Sequence, residues 1–404
     1  MKKSPIICGL DVGTSKICMV TVRRHPDGGL ELISFGRAES RGLNKGAVVN
    51  LDEAADAIRN AAAQAEKKAG ISVDAVRLGA GGDHFQSFNS RGAVTVTGER
   101  QEVTPELAAQ VIAASQSLVI PHDREIKHVL TQEFFLDGQG GIKNPAGLFG
   151  SQLDVTVHII TCRSSLIQNL INAVNHAEMR VQKVIAQPLA AAEAVLTEDE
   201  KELGVAVIDI GGGSTSIAVL QHSSVRFTKI LPVGGRSFTR DLAIGLQTPL
   251  EDAERIKRSS GTVSVKRTDA EDPVAVPGMG TRSSRTVTRK TVCDILRARA
   301  MELLELIGGQ LRAATEGSTL VAGAVITGGG SMLDGITELA EEILNMPARQ
   351  GFPMGIRGLS DELLHPEYAT AVGLTLFDAE NSMVGPPPGV VQRFVGKVLS
   401  WMEK

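Results

Sequence analysis

Two short stretches place an acid, small residues and hydroxyls in the same order. One is Asp11-Val12-Gly13-Thr14-Ser15-Lys16; the other is Asp209-Ile210-Gly211-Gly212-Gly213-Ser214-Thr215. Glycine lets the backbone turn sharply and leaves its N–H groups uncovered, which is what a phosphate chain needs. An aspartate at the base of each turn suits Mg²⁺, which takes few carboxylates and completes its shell with water and phosphate oxygens. A third cluster, Gly328-Gly329-Gly330-Ser331, ends the apolar run 324–327. The chemistry these residue types point to is the holding of a phosphate-bearing ligand.

The elements that carry these turns separate the phosphate-loop folds. In a P-loop or a dinucleotide-binding fold the glycine turn opens a helix. Here Ile217, Ala218, Val219 and Leu220 continue as β-branched and aliphatic residues, so the turn closes a hairpin. No Gly-Lys-Ser/Thr follows, which argues against a Walker A loop. The stretch 6–22 repeats the plan, strand, turn, strand. Three glycine loops in this order resemble the two phosphate loops and the adenosine loop of the actin, sugar-kinase and Hsp70 ATPase superfamily. That resemblance implies an α/β, two-lobed, actin-like ATPase fold, a duplicated mixed sheet flanked by helices, with ATP and Mg²⁺ as ligands. The Mg²⁺ residues would be Asp11 and Asp209, acting through water. The superfamily often carries a further Asp where this chain has Ser216, so fast hydrolysis is not expected.

A chain of 404 residues supports two or three domains with real cores. Its net charge of −4 implies no general attraction to nucleic acid. Cys8, Cys18, Cys162 and Cys293 are scattered without metal spacing and read as buried free thiols of a reducing cytosol. Lys2 and Lys3 precede an apolar run too short for a signal peptide, and no run of about 18 apolar residues would span a bilayer. A cytosolic protein is expected.

Along the chain, strands are expected at 30–37 and 77–82, around an alanine-rich helix over 50–70 capped by Asn50 or Asp52. A mixed segment from 84 to 162 follows, with strands at 92–97, 127–136 and 152–161 and a helix over 104–119 capped by Thr104. Helices are expected at 165–177 and 184–196. After the second hairpin come a strand at 227–232, a break at Gly234 and Gly235, and a helix over 236–244. A further helix is capped by Thr248, with Pro249 in its first turn. Stretch 261–289 reads as an exposed hairpin and loops, 291–315 as a long amphipathic helix. Helices then follow at 335–344 and 366–376.

The motif Ser40-Arg41-Gly42-Leu43-Asn44-Lys45-Gly46, the segment Gly79 to Ser90 and the inserted lobe resemble the bacterial cell-division FtsA family over essentially the whole chain. The resemblance implies a first lobe at 1–83 and 163–202 and an inserted α+β lobe at 84–162. A second lobe at 203–379 follows, whose outer subdomain is 227–299, then a linker at 380–389 and a C-terminal amphipathic helix at 390–404. It implies an ATP-binding protein that polymerises and tethers the FtsZ ring to the inner face of the cytoplasmic membrane at the division site. The partners implied are the FtsZ C-terminal tail, further copies of the chain, the anionic membrane surface and later division proteins. Phosphates would lie on Gly13, Thr14, Ser15, Lys16, Gly211, Gly212, Gly213, Ser214 and Thr215, beside Gly234 and Gly235. Adenosine would lie near Glu254, Lys257 and Gly328, Gly329, Gly330 and Ser331. Glu254 and Lys257 fall on one helical face, where an ion pair is the plain reading. Arg285 and Arg299 are candidates for contacts to the partner's tail. Gln187 either positions a water or simply begins a helix packed between the lobes; glutamine is a poor general base. The alternative class is a small-molecule kinase or chaperone-type ATPase of the same superfamily, for which no substrate-facing base or substrate domain is evident.

On a helical wheel the final 15 residues divide cleanly. Val390, Val391, Phe394, Val395, Val398, Leu399, Trp401 and Met402 share one half, and Arg393, Lys397 and Lys404 flank it. The helix either docks on the body or lies on a membrane; the three prolines of the preceding linker and the basic edge favour the membrane. Free in solution so short a helix is marginal. On an anionic bilayer each nearby Lys or Arg adds about 1 kcal/mol, and polymerisation multiplies weak tails by effective concentration. Trp401 is the only tryptophan, so its emission should shift to the blue on addition of anionic liposomes, more so with ATP. Val395→Glu should abolish the shift. A wild-type spectrum already blue and unresponsive to lipid would mean a tail docked on protein.

Overall fold

The computed structural model describes residues 5–97, 101–265, 271–280, 283–315 and 317–377. The tail expected at 380–404 lies outside the described residues. Each Asp-bearing turn is a tight β-hairpin at the centre of a mixed sheet. In the first sheet the strand order is Arg180–Ala186, Ala75–Ala80, Ile6–Val12, Lys16–Arg24, Leu30–Glu39 and Ile356–Arg357. In the second it is Ser224–Leu231, Thr215–Gln221, Val205–Ile210, Ala324–Thr327 and Ala348–Gln350. The duplication extends to register. Asp11 pairs with Cys18 across its hairpin and with Gly79 on the parallel side; Asp209 pairs with Ser216 and Thr327. These central strands are buried along nearly their whole length because helices cover both faces, which is why they read as continuous apolar runs.

Helix Leu51–Ala69 shows how closely the layers approach. Asn50 caps it by accepting from the Glu53 amide at 3.3 Å, and Gly70 ends it in the left-handed region at φ 65°. Its inner face is mostly alanine, so it lies tight on the sheet; a Cβ at Gly36 would stand 2.1 Å from the Ala61 carbonyl oxygen. Two other helices, Gln187–Val195 and Ala369–Leu376, join the lobes. One apolar core contains Val20 and Val22 of the first sheet, Val207 and Ala218 of the second, and Ala191, Ala194, Ala371 and Val372 of these two helices.

Several expected boundaries move. Residues 184–186, expected as the start of a helix, close the edge strand Arg180–Ala186, which pairs parallel with Ala75–Ala80, and the helix begins only at Gln187, where Pro188 sits in its first turn. Val181, Val184 and Ile185 suit the pleat, and a sheet edge was open to take them. The helix expected over 104–119 runs only Pro105–Ala114, although Thr104 does cap it. The strand expected at 92–97 starts earlier, at Gln86. Thr248 does not cap the next helix: its hydroxyl donates to the Pro277 carbonyl, Pro249 takes the N-cap position, and the helix runs Leu250–Ser260. A short helix at Glu198–Leu203, closed by a Thr197–Glu200 capping box, has no counterpart among the expected elements. All four cysteines are free and buried.

The segment between the first lobe's elements makes its own four-stranded sheet, ordered Gln86–Thr95, Gln152–Arg163, Arg124–Leu136 and Gln139–Ile142, with Pro105–Ala114 packed on it. A polar seam joins it to the edge strand Ser224–Leu231 of the second sheet. Ser87 Oγ donates to the Thr228 carbonyl (2.6 Å), and Asn89 Nδ2 to that of Arg226 (3.2 Å). Gln132 Nε2 reaches the Val225 carbonyl (2.9 Å) and Asn89 Oδ1 (3.1 Å), and Arg226 pairs with Glu133 at 3.1 Å. His158 stands at the centre, Nδ1 at 2.7 Å from Asn89 Oδ1 and Nε2 at 2.9 Å from Thr228 Oγ1. Since Asn89 offers its oxygen, the ring proton sits on Nδ1 and Nε2 accepts from the threonine.

Burial pushes the His158 ring down to about 4, so the folded chain holds it neutral while the unfolded chain protonates it near pH 6.5. Its contribution is complete above the unfolded value and is lost as pH falls toward the folded one. Between pH 6.5 and 4 a His158→Gln variant should therefore show a shallower fall in unfolding free energy than the wild type. The difference in slope is at most about 1.4 kcal/mol per pH unit. Urea unfolding at stepped pH measures it, and identical slopes would contradict a neutral, buried ring.

Candidate functional site

The two hairpin tips face each other. A Cβ at Gly212 would lie 1.9 Å from Ser15 Oγ, and one at Gly213 would lie 2.6 Å from Thr14 Oγ1. The tips are thus in contact across the cleft between lobes, and only glycine permits it. Each is a closed turn, with Gly13 N bonded to Lys16 O at 3.1 Å and Gly211 N to Ser214 O at 2.9 Å. The amides of Thr14, Ser15, Gly212, Gly213 and Ser214 donate to no acceptor among the described residues. Ser15 is exposed, but Thr14 and Gly213 are buried and Gly212 and Ser214 half-buried, and N–H groups so placed are rarely left without an acceptor. Five such donors on two facing hairpin tips of the same chain fit an anion with several oxygens.

Gly234 and Gly235 support the second tip. Gly235 N and Arg236 N, opening helix Gly235–Gly245, donate at 2.8 Å to the carbonyls of Gly211 and Gly212, and a Cβ at Gly234 would meet Gly211 O at 2.6 Å. Arg236 then crosses the cleft, its guanidinium donating to the Thr14 carbonyl at 2.6 Å. Thr215 turns its hydroxyl back to Val233 O.

Beneath the tips lie the two aspartates. Burial raises the Asp11 carboxyl to about 6; Lys16 pulls it down, Asp209 pushes it up, and Gln187 Nε2 donates to Oδ1 at 3.0 Å. Asp209 is raised as well, by burial first, against the Thr370 hydroxyl that donates to Oδ2 at 2.8 Å and against Lys16. Two buried carboxylates that each disfavour the other's charge are suited to a divalent cation with water and phosphate completing its shell. No cluster of three or more acidic, histidine or cysteine ligands occurs among the described residues. Gln187 begins its helix and bonds Asp11, and it lies so near Gly81 that a Cβ there would stand 1.8 Å from its Oε1. Ser216 is buried across the hairpin from Asp209.

The third glycine cluster closes the far side. Gly328 has φ 82°, and a Cβ on it would strike Asp209 Oδ1 at 2.2 Å; Gly330 sits as close to Ile210. Gly329 alone has room, with only Glu367 Cβ within reach at 3.7 Å. Ser331 is buried and bonds Gly328 O. Glu254 and Lys257 form the expected ion pair at 2.6 Å, and Lys257 also donates to Gly235 O and Thr239 Oγ1, which ties them to the second tip. Thr239 also bonds Glu254. These contacts hold the Glu254 carboxyl at about 2 despite its burial. An open depression of about 490 Å³ is lined by Glu251, Glu254, Arg255, Arg258 and Ser259. Arg285 and Arg299 stand apart from the cleft. Arg285 donates to the Leu246 carbonyl at 2.9 Å, and Arg299 is already paired with Asp241 and Glu302. Residues absent from the sequence-level set are Arg236, Glu367 and Thr370, each joined to the cleft by contacts of very long sequence separation that no spacing signals.

Comparison with known proteins bears on this arrangement. A family model described as "Cell division protein FtsA" matches residues 206–373, and one described as "SHS2 domain inserted in FTSA" matches 82–161. Among curated proteins called "Cell division protein FtsA", that of Pseudomonas aeruginosa is 37% identical, covering 95% of this chain and 92% of its own. That of Neisseria meningitidis is 39% identical, over 96% and 94%, and that of Bacillus subtilis 35%, over 95% and 86%. Solved structures share the fold. A chain of a PilM-PilN type IV pilus biogenesis complex superposes with a TM-score of 0.66 at 19% identity, over 94% of this chain and 99% of that one. MreB5 of Spiroplasma citri bound to ADP gives 0.56 at 12%, over 94% and 97%.

Proposed function

The chain belongs to the FtsA family of cell-division proteins, and on that premise we propose that it binds ATP with Mg²⁺ between its lobes, polymerises, and tethers FtsZ filaments to the membrane. The observation that carries the nucleotide part is the set of five unpartnered amides on two facing tips, with Asp11 and Asp209 beneath them. Phosphates would take the amides of 14–15 and 212–214, and a hydrated Mg²⁺ would bridge them to the aspartates. Adenosine would occupy the space between Gly328–Ser331 and the Glu254–Lys257 pair. MreB5 of the same fold has been solved with ADP and with AMPPNP, which supports the choice of ligand. Among the described residues the cleft carboxylates Asp11 and Asp209 already accept from Gln187 and Thr370, and we assign the nucleotide chiefly a clamping role between lobes, with slow turnover.

The outer subdomain at 227–299 is the docking place we assign to the FtsZ tail, through Arg285 and, once released from Asp241, Arg299. The inserted lobe at 84–162 is assigned to contacts with the next copy along a filament and with later division proteins. No helix among the described residues is long and apolar enough to cross a membrane, and attachment to the inner face of the cytoplasmic membrane would rest on the amphipathic tail.

The nucleotide placement is tested by Gly329→Asp. The position is open on the protein side and its backbone is unstrained, so the fold should survive with an unchanged melting temperature. The new carboxylate would stand where the nucleoside must lie, and ATP affinity should fall about tenfold or more. Wild-type affinity in a folded Gly329→Asp chain would contradict the placement.

A further inference from the structure

Lys16 is the one cation within the first phosphate loop, yet its ammonium is committed elsewhere. It donates to the Glu367 carbonyl, pairs with the Glu367 carboxylate at 2.9 Å and lies 4.3 Å from the centre of the Tyr368 ring. An ammonium has three donors, so two are taken by one residue and the third faces an aromatic ring. Lys16 and Glu367 are 22% and 31% exposed, a partly buried pair that solvent screens incompletely.

The two partners differ in freedom. Glu367 belongs to the short turn Pro366–Tyr368, which is fastened on both sides. Gly328 N and Thr327 Oγ1 each donate to the Pro366 carbonyl at 3.2 Å. The Tyr368 hydroxyl accepts from Arg37 at 2.9 Å and donates to Glu362 at 3.3 Å, while Arg37 and Glu362 pair at 2.9 Å. Lys16 has a flexible four-carbon stem rooted next to the unpartnered amides of Thr14 and Ser15. The backbone that carries Glu367 is fastened, whereas the Lys16 ammonium can swing on its stem toward the tip. Glu367 also borders Gly329, so its charge stands at the edge of the same cleft.

We infer that Glu367 is an internal counter-ion that competes with nucleotide phosphates for Lys16, and thereby sets how strongly the cleft prefers a polyphosphate over a bare nucleoside. The inference rests on the nucleotide reading of the cleft. When phosphates occupy the first tip, Lys16 leaves Glu367 for them. The freed carboxylate remains rooted beside the third glycine cluster through its backbone and Cβ, so occupation of the phosphate loop changes the charge at the nucleoside end.

The test is titration calorimetry of the full chain with MgATP, MgADP and adenosine. Glu367→Gln keeps the shape and a hydrogen-bond acceptor for Lys16 but removes the charge. It should tighten ATP about tenfold and ADP in the same direction, while adenosine changes less than about twofold. Lys16→Gln should erase the gain when combined with Glu367→Gln. Glu367→Asp, which draws the carboxylate back from the ammonium, should give a smaller gain of the same sign and serves if the Gln variant does not fold. Equal shifts for ATP and adenosine, no shift at all, or a gain that persists without Lys16 would overturn the assignment alone. A wild-type chain that binds adenosine and ATP equally weakly would overturn the nucleotide reading, and this inference with it.

Discussion

Gly373 lies so close to Ala190 that a Cβ on it would stand 1.7 Å from the alanine carbonyl oxygen. That crossing fixes how helices Gln187–Val195 and Ala369–Leu376 meet, and everything in the cleft follows from it. The same helices are pressed into the first sheet at Gly9 and Gly79, where added carbons would strike Leu374 at 2.9 and 2.8 Å. On the other side they share a core with Val205, Val207 and Ala218 of the second sheet. A larger residue at Gly373 would force these two helices apart. Interiors are packed too densely to absorb a carbon at such a distance without backbone movement.

With the lobes held there, the electrostatics of the cleft have a single theme. Carboxylates are buried in excess of the cations that face them, and donors are left without acceptors. Asp11 and Asp209 both sit above their ordinary values because burial, helped at Asp11 by the charge of Asp209, outweighs Lys16 and the hydrogen bonds from Gln187 and Thr370. The amides above them lack partners. A ligand that is anionic at one end and brings a divalent cation resolves both imbalances together, whereas an anion or a metal alone resolves one. This complementarity, more than any single side chain, supports the proposed magnesium–nucleotide complex.

The chemistry-bearing turns were legible in the sequence because their signals are local. Asp-x-Gly followed by a β-branched run specifies a hairpin by itself, and Asn50 and Gly70 announce the ends of their helix. The end of the edge strand, 184–186, reads as helix because an apolar run beside an alanine-rich helix carries no mark of where one stops; only the parallel partner Ala75–Ala80 decides it. Thr248 looked like a cap, but Pro277, distant in sequence, offered its hydroxyl a better acceptor. Glu367, Thr370 and Arg236 reach the site from distant parts of the chain, so they follow from topology and not from spacing. The seam around His158 was hidden for the same reason, since His158 is an ordinary inward residue of an alternating strand until Thr228 is placed opposite it.

The central claim is that one phosphate chain is gripped by both tips at once. Hydrogen exchange of the amides at 14–15 and 212–214 tests it most directly, because unbonded amides exchange quickly until an acceptor covers them. Saturating MgATP should slow exchange at both tips together and with the same midpoint. Protection at one tip only, or at neither while ATP is demonstrably bound, would contradict the account.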